Sequence, residues 1–271
     1  MKFKCKMNDA GSMRDFTNVA NTVARMSKQC VLRLTQNSIY FNIADDSMAM
    51  VWTKLDKNHF FVDYLVAGKS VEFNEIYMEL NTGMLAKSVT SLKTVARSVK
   101  IKLTNKQQPC LTFDIELSSI SAESRLCIHD VPVTIIPQKK WSEYNEPNIE
   151  RYDISLEMPQ FKHLRSVMER IKSMSPILIL SADTNGVLAF KVDTNAATIT
   201  VHFPNLTVLD CTSNNEISAS VDIKKFHAFL AWEAVHPTAI KCNILNETVI
   251  NINLNLENYL QIKYYIPAIE S

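Results

Sequence analysis

The sequence predicts an α+β fold of two similar domains, each containing two strand–helix–strand–strand–strand units. The main observation is a pattern that occurs four times in the 271 residues: a short alternating run, a polar position, helix-period sequence, then further alternating runs. The helices begin near residues 12, 82, 159 and 222. This spacing is too long for a solenoid repeat and suits a duplicated half-domain. A proline-bearing segment separates the second copy from the third.

The first two units lie in the N-terminal half, and each is predicted from alternating and helix-period runs. The first has a strand at Lys2 to Met7, a helix from Ser12 to about Lys28, and strands at Cys30 to Leu34, Ser38 to Ile43 and Met48 to Leu55. The second has a strand at Val71 to Leu80, a helix from Thr82 to about Ser98, and strands at Lys100 to Leu103, Cys110 to Leu117 and Ser124 to His129.

The last two units follow the same order. In the third, Pro159 marks a helix N-terminus, where its missing N–H is harmless. In the fourth, Asp222 is the predicted N-cap. The predicted elements are a strand at Tyr152 to Met158, a helix to Ser173, strands at Ile177 to Ser181, Gly186 to Val192, Ala197 to Phe203 and Ile217 to Val221, a helix to about Ala234, and strands at Ala239 to Leu245, Thr248 to Leu256 and Tyr259 to Ile266.

Prolines 132, 137 and 147 lie in the segment Asp130 to Glu150 and disfavour both a central strand and a helix interior. We therefore predict an N-terminal domain at 1–130, an interdomain connector at 131–150 and a C-terminal domain at 151–271. The stretch Pro204 to Glu216 is predicted to be a crossover loop within the second domain.

Positive charge is concentrated in the predicted helices. The net charge is only +1, but windows 12–28, 81–100, 159–173 and 222–234 together carry +9, which leaves −8 on the rest of the chain. One amphipathic helix ordinarily has a charged, solvated face. Three basic helices nearly free of acidic residues instead indicate a surface for phosphates that does not read base sequence.

Several function classes lack support. The six cysteines are scattered singly, no metal-binding, nucleotide-binding or hydrolase motif occurs, and no apolar run reaches membrane-spanning length. We expect a soluble, non-catalytic protein without metal or cofactor, made in a reducing compartment. Cys127 and His129 share a predicted strand face but lack a third partner, so a structural role is favoured.

Several short segments carry a family resemblance, namely Met1 to Phe3, Asn74 to Leu80, Val99 to Lys106, Pro109 to Thr112, His129 to Pro132, Ile135 to Pro137, Trp141 and Tyr265 to Ala268. These segments resemble the Hus-one subunit family of the DNA-damage checkpoint clamp, which belongs to the PCNA-like DNA clamps. The resemblance is densest from 74 to 141, and the sequence departs from the family at the hairpin Asp45 to Met50 and in the loop after Phe203.

The resemblance implies two clamp domains with helices lining the inner face of a ring and sheets outside. The partners would be two paralogous subunits, sequence-independent DNA, a dedicated ATP-driven loader, and repair and checkpoint proteins, without a membrane. The protein would act in the nucleus, with a cytoplasmic fraction left open.

The resemblance also suggests site residues. The DNA-facing candidates are Arg14, Arg25, Lys28, Lys87, Lys93, Arg97, Lys162, Arg165, Arg170 and Lys224. The subunit-interface candidates, on strands expected to be sheet edges, are Cys110, Leu111, Thr112, Phe113, Asp114, Ile115, Ile177, Leu178, Ile179 and Leu180. A partner-peptide pocket, with core packing as the alternative, would involve Val133, Ile135, Ile136, Pro137, Pro267 and Ala268.

Three alternatives remain open from the sequence. A homotrimeric replicative clamp would share the fold, whereas a sheet-edge interaction adaptor would never contact DNA. An enzyme would need an unrecognised Cys–His site.

Overall fold

The computed structural model describes residues 1–44, 49–118, 125–212 and 216–269. The described chain forms two compact units: the first comprises residues 1–44, 52–118, 125–146 and 258–260, and the second the other described residues. Both units are α+β, as predicted. Residues 45–48 of the predicted hairpin and 213–215 of the predicted crossover loop lie outside the described residues.

The first unit contains one sheet and the helices that follow its strands. The strands run in the order β4-β3-β2-β6-β9-β8-β7-β1-β5. The elements are β1 (Lys2–Met7), α1 (Ala10–Met26), β2 (Gln29–Leu34), β3 (Ser38–Ile43), β4 (Met50–Asp56), α2 (Lys57–Phe60), β5 (Val62–Ala67), β6 (Ile76–Asn81), α3 (Thr82–Val89), β7 (Ala96–Asn105), β8 (Pro109–Leu117) and β9 (Arg125–Ile135), with 3-10 turns at Thr90–Lys93 and Gln138–Tyr144.

Helix α1 begins earlier than predicted because Asp9, not a later residue, caps it. The Asp9 carboxylate accepts a hydrogen bond from the backbone N–H of Ser12 at 2.7 Å, which satisfies one of the unpaired donors at a helix start. The side chains of Phe16, Val19 and Val23 then recur at helical spacing and are buried. The apolar pattern thus holds α1 against the core of its unit.

The predicted second helix is too long. Helix α3 ends at Val89, a 3-10 turn reaches Lys93, and β7 begins at Ala96. The β-branched residues near this boundary, including Thr90 and Val95, favour extended backbone. Strand β7 also pairs with both β1 and β8, and these non-local pairings offset the local helical pattern. The short helix α2 and strand β5 were not predicted.

Strand β9 extends through Pro132, where the sequence analysis placed the connector. Its ladder with β8 ends at the Cys110–Pro132 pair, and its ladder with β6 begins at Val133. The proline therefore occupies the point where β9 changes partners, a position that tolerates a missing donor. The domain limits remain a prediction, but residues 131–135 form a strand.

The second unit has two sheets, ordered β14-β10-β16-β17-β18 and β13-β12-β11-β15. The elements are β10 (Ile154–Glu157), α4 (Phe161–Ile171), β11 (Ile177–Ala182), β12 (Leu188–Asp193), β13 (Thr198–Phe203), β14 (Val208–Cys211), β15 (Ile217–Asp222), α5 (Ile223–Phe229), β16 (Ala239–Leu245), β17 (Val249–Leu256) and β18 (Leu260–Pro267), with a 3-10 turn at Leu230–Val235. Strand β14 lies within the predicted crossover loop.

The two helix starts of the second unit differ in how well the sequence predicted them. Asp222 caps α5 as predicted, since its carboxylate accepts from the backbone N–H of Lys224 at 2.7 Å. Pro159 instead lies outside α4, whose N-cap is Gln160. Phe226 and Phe229 of α5 pack in the core, where the Tyr264 hydroxyl donates to the Lys225 carbonyl at 2.7 Å.

Candidate nucleic-acid interface

In the first unit, α1 and α3 pack together and expose basic side chains. Arg14 and Arg25 of α1 and Lys87 of α3 are exposed. The Lys93 ammonium donates to the Asn18 side-chain carbonyl at 3.3 Å, so a cation from the end of the second helical segment lies beside α1. The structure therefore places Lys93 beside a residue of α1 that lies 75 positions earlier in the sequence.

Asn18 of α1, which accepts the hydrogen bond from Lys93, is buried, with 7% of its surface exposed. Two basic residues predicted to lie in helices lie outside them. Lys28 follows the end of α1 rather than belonging to it. Arg97 lies on β7, at an irregularity in the β7–β8 register, because the helix ends before it.

In the second unit, the exposed cations of α4 and α5 are Lys162, Arg170 and Lys224. Arg165 differs, because its Nε lies 2.9 Å from Glu233 Oε2 and its guanidinium also donates to the Leu230 carbonyl at 2.9 Å. Its charge is partly neutralised within the unit. Arg165 is thus a weaker candidate for phosphate contact than the sequence suggested.

Glu169 also contacts two neighbouring side chains. Its carboxylate pairs with Lys172 at 2.5 Å and with His227 at 2.9 Å. These hydrogen bonds, from Lys172 first and then His227, lower the pKa of Glu169 to about 2. The carboxylate remains ionised at neutral pH and offsets positive charge on this side of α4.

Most of the remaining candidate cations lack acidic partners. Arg14 lies 3.7 Å from Asp15. Among the described residues, no carboxylate forms an ion pair with Arg25, Lys28, Lys87, Lys93, Arg97, Lys162, Arg170 or Lys224. Exposed, uncompensated cations attract phosphates by charge and release counterions, without distinguishing bases.

The strands predicted to be sheet edges are not edges. Strand β8, with candidates Cys110 to Ile115, is paired on one side with β7 and on the other with β9. Strand β11, with candidates Ile177 to Leu180, lies between β12 and β15. Pairing depends on the whole fold, so local alternation cannot reveal which strand is outermost. That these residues form a subunit interface stays a prediction.

Part of β9 and the whole of β13 are among the described strands that have an open side. Residues 125–130 of β9 pair only with β8, and β13 pairs only with β12, as far as the described strands go. On β9, Leu126 is 64% exposed and Ile128 is 54% exposed. Open strands with exposed apolar side chains are suited to pairing with another chain.

The predicted peptide pocket is partly filled by the chain itself. Val133 and Ile136 are buried, Ile135 is half-buried, and Pro137, like Pro267 in the second unit, is exposed. Ile136 packs with Val31 and Tyr77 under the half-buried Trp141 and Tyr144. Val31, Tyr77 and Ile136 form the connector cluster. Ala268 is half-buried in the second unit.

Trp141 fixes the 3-10 turn over the connector cluster. Its ring stacks on Tyr77 with centroids 4.6 Å apart and an interplanar angle of 20°. Its indole N–H donates to the Ile136 carbonyl at 3.1 Å. These contacts support the core-packing alternative for Ile136.

The side chains of Cys127 and His129 on β9 are in contact. Cys127 Sγ lies 3.2 Å from His129 Nε2. Within the described ranges, no group of three potential metal ligands occurs, and no helix has the length and hydropathy needed to span a membrane.

The fold and the relatives agree on the class of this protein. Over 99% of both chains, it superimposes with a TM-score of 0.76 and 12% identity on Proliferating Cellular Nuclear Antigen from Entamoeba histolytica. This likeness shows a PCNA-like clamp fold, confirming the predicted fold class.

Sequence comparison specifies the family. The family model described as Hus1-like protein matches residues 1–270. Checkpoint protein HUS1 of Homo sapiens is 34% identical over 99% of this chain and 100% of its own length. Checkpoint protein Hus1-like of Drosophila melanogaster is 27% identical over 99% of both chains. The chain belongs to the Hus1 family, as its sequence segments predicted, and these findings support a checkpoint clamp subunit.

Proposed function

We propose that the chain is one subunit of a heterotrimeric ring that encircles DNA at damage sites and serves as a platform for checkpoint kinase activation and repair proteins. The observation that carries this proposal is the set of exposed helical cations without acidic partners, such as Arg25, Lys87 and Lys162. They would line the ring and hold the phosphate backbone without sequence preference. Two paralogous clamp subunits, a dedicated ATP-driven loader and a nuclear location complete the proposal.

Ring assembly would use the open strands. Residues 125–130 of β9 and strand β13 each leave one side free of described partners. Edge-to-edge pairing would satisfy their backbone groups and cover Leu126 and Ile128. The interface candidates on β8 and β11 would then lie one or two strands inward from the contacts.

A salt titration of the assembled complex tests DNA contact. We expect Arg25→Gln with Lys87→Gln to weaken duplex binding and to reduce the slope of log Kd against log salt by about one per lost phosphate contact. Lys69→Gln with Lys139→Gln, which also removes two charges from exposed positions outside α1 and α3, is the matched control. An unchanged slope in Arg25→Gln with Lys87→Gln would contradict a DNA-lining role and favour an adaptor that never contacts DNA.

The oligomeric state of the isolated chain tests the type of ring. A heterotrimeric subunit should elute as a monomer alone and form a 1:1:1 complex with its paralogues, because β9 and β13 would pair with different partners. A stable trimer of the isolated chain would instead identify a homotrimeric clamp.

A further inference from the structure

The exposed face of β1 and β7 carries four lysines in directly opposed pairs. The antiparallel register sets Lys4 opposite Lys102 and Lys6 opposite Lys100. Directly opposed residues project from the same face, with Cβ atoms about 5 Å apart. Cys5, between the two lysines of β1, points to the other face and is buried. Like charges in this arrangement repel, so the sequence keeps four lysines at a cost in stability.

Little negative charge compensates these lysines. Lys102 Nζ lies 2.7 Å from Asp114 Oδ2. Within the described part of the chain, Lys4, Lys6 and Lys100 form no ion pair. The four lysines, Asp63 and Asp114 line a cavity of about 400 Å³. The cavity is therefore net positive and large enough for several side chains of a ligand.

An apolar border adjoins the lysines. In the β1–β5 ladder, whose register shifts between Lys4 and Lys6, Leu65 lies opposite Lys4 and Val62 opposite Lys6, so each adjoins a lysine of β1. Each is 43% exposed. Strand β5 is the last described strand on this side of the sheet, so the border is open to a ligand that extends past the cavity.

We propose that these four lysines, with Val62 and Leu65, form a docking site for an acidic segment of a partner protein that also carries apolar side chains. Its carboxylates pair with Lys4, Lys6 and Lys100, which removes the like-charge repulsion. Its apolar side chains cover Val62 and Leu65. This site is separate in sequence and in secondary structure from the helical cations of the proposed DNA contact.

The apolar border distinguishes a protein segment from nucleic acid. A phosphodiester backbone would neutralise the lysines but would supply no apolar groups to cover the two exposed aliphatic side chains. Protein interfaces combine an apolar centre with polar contacts around it. The mixed chemistry of this face therefore favours an acidic, apolar protein segment.

Fluorescence anisotropy on the full chain tests the proposal with a labelled peptide in which two leucines lie within a run of glutamates. We expect Lys4→Gln with Lys100→Gln to weaken binding roughly fivefold to twentyfold at low salt. We expect Lys139→Gln with Lys140→Gln, which removes the same charge from exposed positions in the 3-10 turn, to change it less than about twofold. A peptide with serines replacing the leucines should bind several-fold more weakly.

Other outcomes would overturn the proposal. One is that the unaltered chain does not bind the peptide. Another is that both double variants lose the same amount of peptide affinity, which would indicate nonspecific charge attraction. If duplex DNA binds the unaltered chain and the control variant but not Lys4→Gln with Lys100→Gln, this face binds nucleic acid instead. Urea unfolding provides a separate readout: the midpoint of this variant should equal or exceed that of the unaltered chain, and a lower midpoint would contradict the repulsion argument.

Discussion

Asp9 shows how one side chain couples local structure to pH. Its carboxylate accepts hydrogen bonds from the Ser12 backbone N–H at 2.7 Å and from the Ser12 hydroxyl at 3.0 Å. These bonds, the backbone one first, lower the pKa of Asp9. The Asp9 carboxylate is therefore more acidic in the folded state than in the unfolded chain. Its contribution to the free energy of unfolding is complete above the unfolded pKa of about 4 and is lost as pH falls through the lower folded pKa.

We therefore expect Asp9→Ala to lower the free energy of unfolding by about 1 kcal/mol at pH 7. Urea unfolding at pH 7 and pH 3 measures the difference. The variant should lose less stability than the unaltered chain between these pH values, since the titrating cap is gone. Asp9→Asn is the control, because it keeps an acceptor oxygen without a charge. Equal pH dependence in all three proteins would refute a titrating cap.

At the scale of elements, the sequence predicted correctly the start of α5, a helix boundary that depends on residues close by in the chain. Asp222 caps α5 because a carboxylate before a helical run acts within three residues. The end of α3 was missed because β7 is held by two partner strands, β1 and β8, far away in sequence. The four opposed lysines of β1 and β7 were missed for the same reason. Lys4 and Lys102 come together only through strand pairing, and charge counted over helical segments does not include lysines on strands.

The 3-10 turn Gln138–Tyr144 is an element held by few side chains. Trp141 and Tyr144 are half-buried and supply the contacts of the turn with the connector cluster, whereas the remaining residues of the turn are exposed. We expect Trp141→Ala to lower the free energy of unfolding by about 1–2 kcal/mol, through the lost stacking on Tyr77 and the lost apolar contact. Far-UV circular dichroism in urea measures it.

The control for this turn is Ser142→Ala, which changes an exposed neighbour in the same turn. It should stay within about 0.5 kcal/mol of the unaltered chain. Equal stability of all three proteins would mean that Trp141 does not anchor the turn.

At the scale of the molecule, internal repetition was enough to predict the class of fold, because four similar patterns leave few topologies open. It was not enough to predict which strands are outermost. β8 and β9 both alternate in sequence, yet only residues 125–130 of β9 have an open side among the described strands. The position of a strand in a sheet is set by chain-wide topology, so the predicted edge strands lie one strand inward from β9 in the first unit and two strands inward from β13 in the second.

Assembly of the proposed heterotrimer should therefore depend on β9. We expect Ile128→Lys to reduce co-purification with the paralogous subunits, because it buries a charge in the proposed interface. Its own unfolding midpoint should change little, since Ile128 is 54% exposed. Val71→Lys, at a residue that is 96% exposed, is the control. Normal assembly of the Ile128 variant would exclude this part of β9 from the interface.

The position of β1 in its sheet also has a consequence for biogenesis. This strand pairs with β5 and with β7, and its pairing with β7 must wait until a segment roughly a hundred positions further along the chain has left the ribosome. The four lysines of the docking face come together only at that late step and exist as a set only in the native state. An acidic partner segment that binds them would then shift newly made chains toward the folded form by mass action, and so would raise the folding yield.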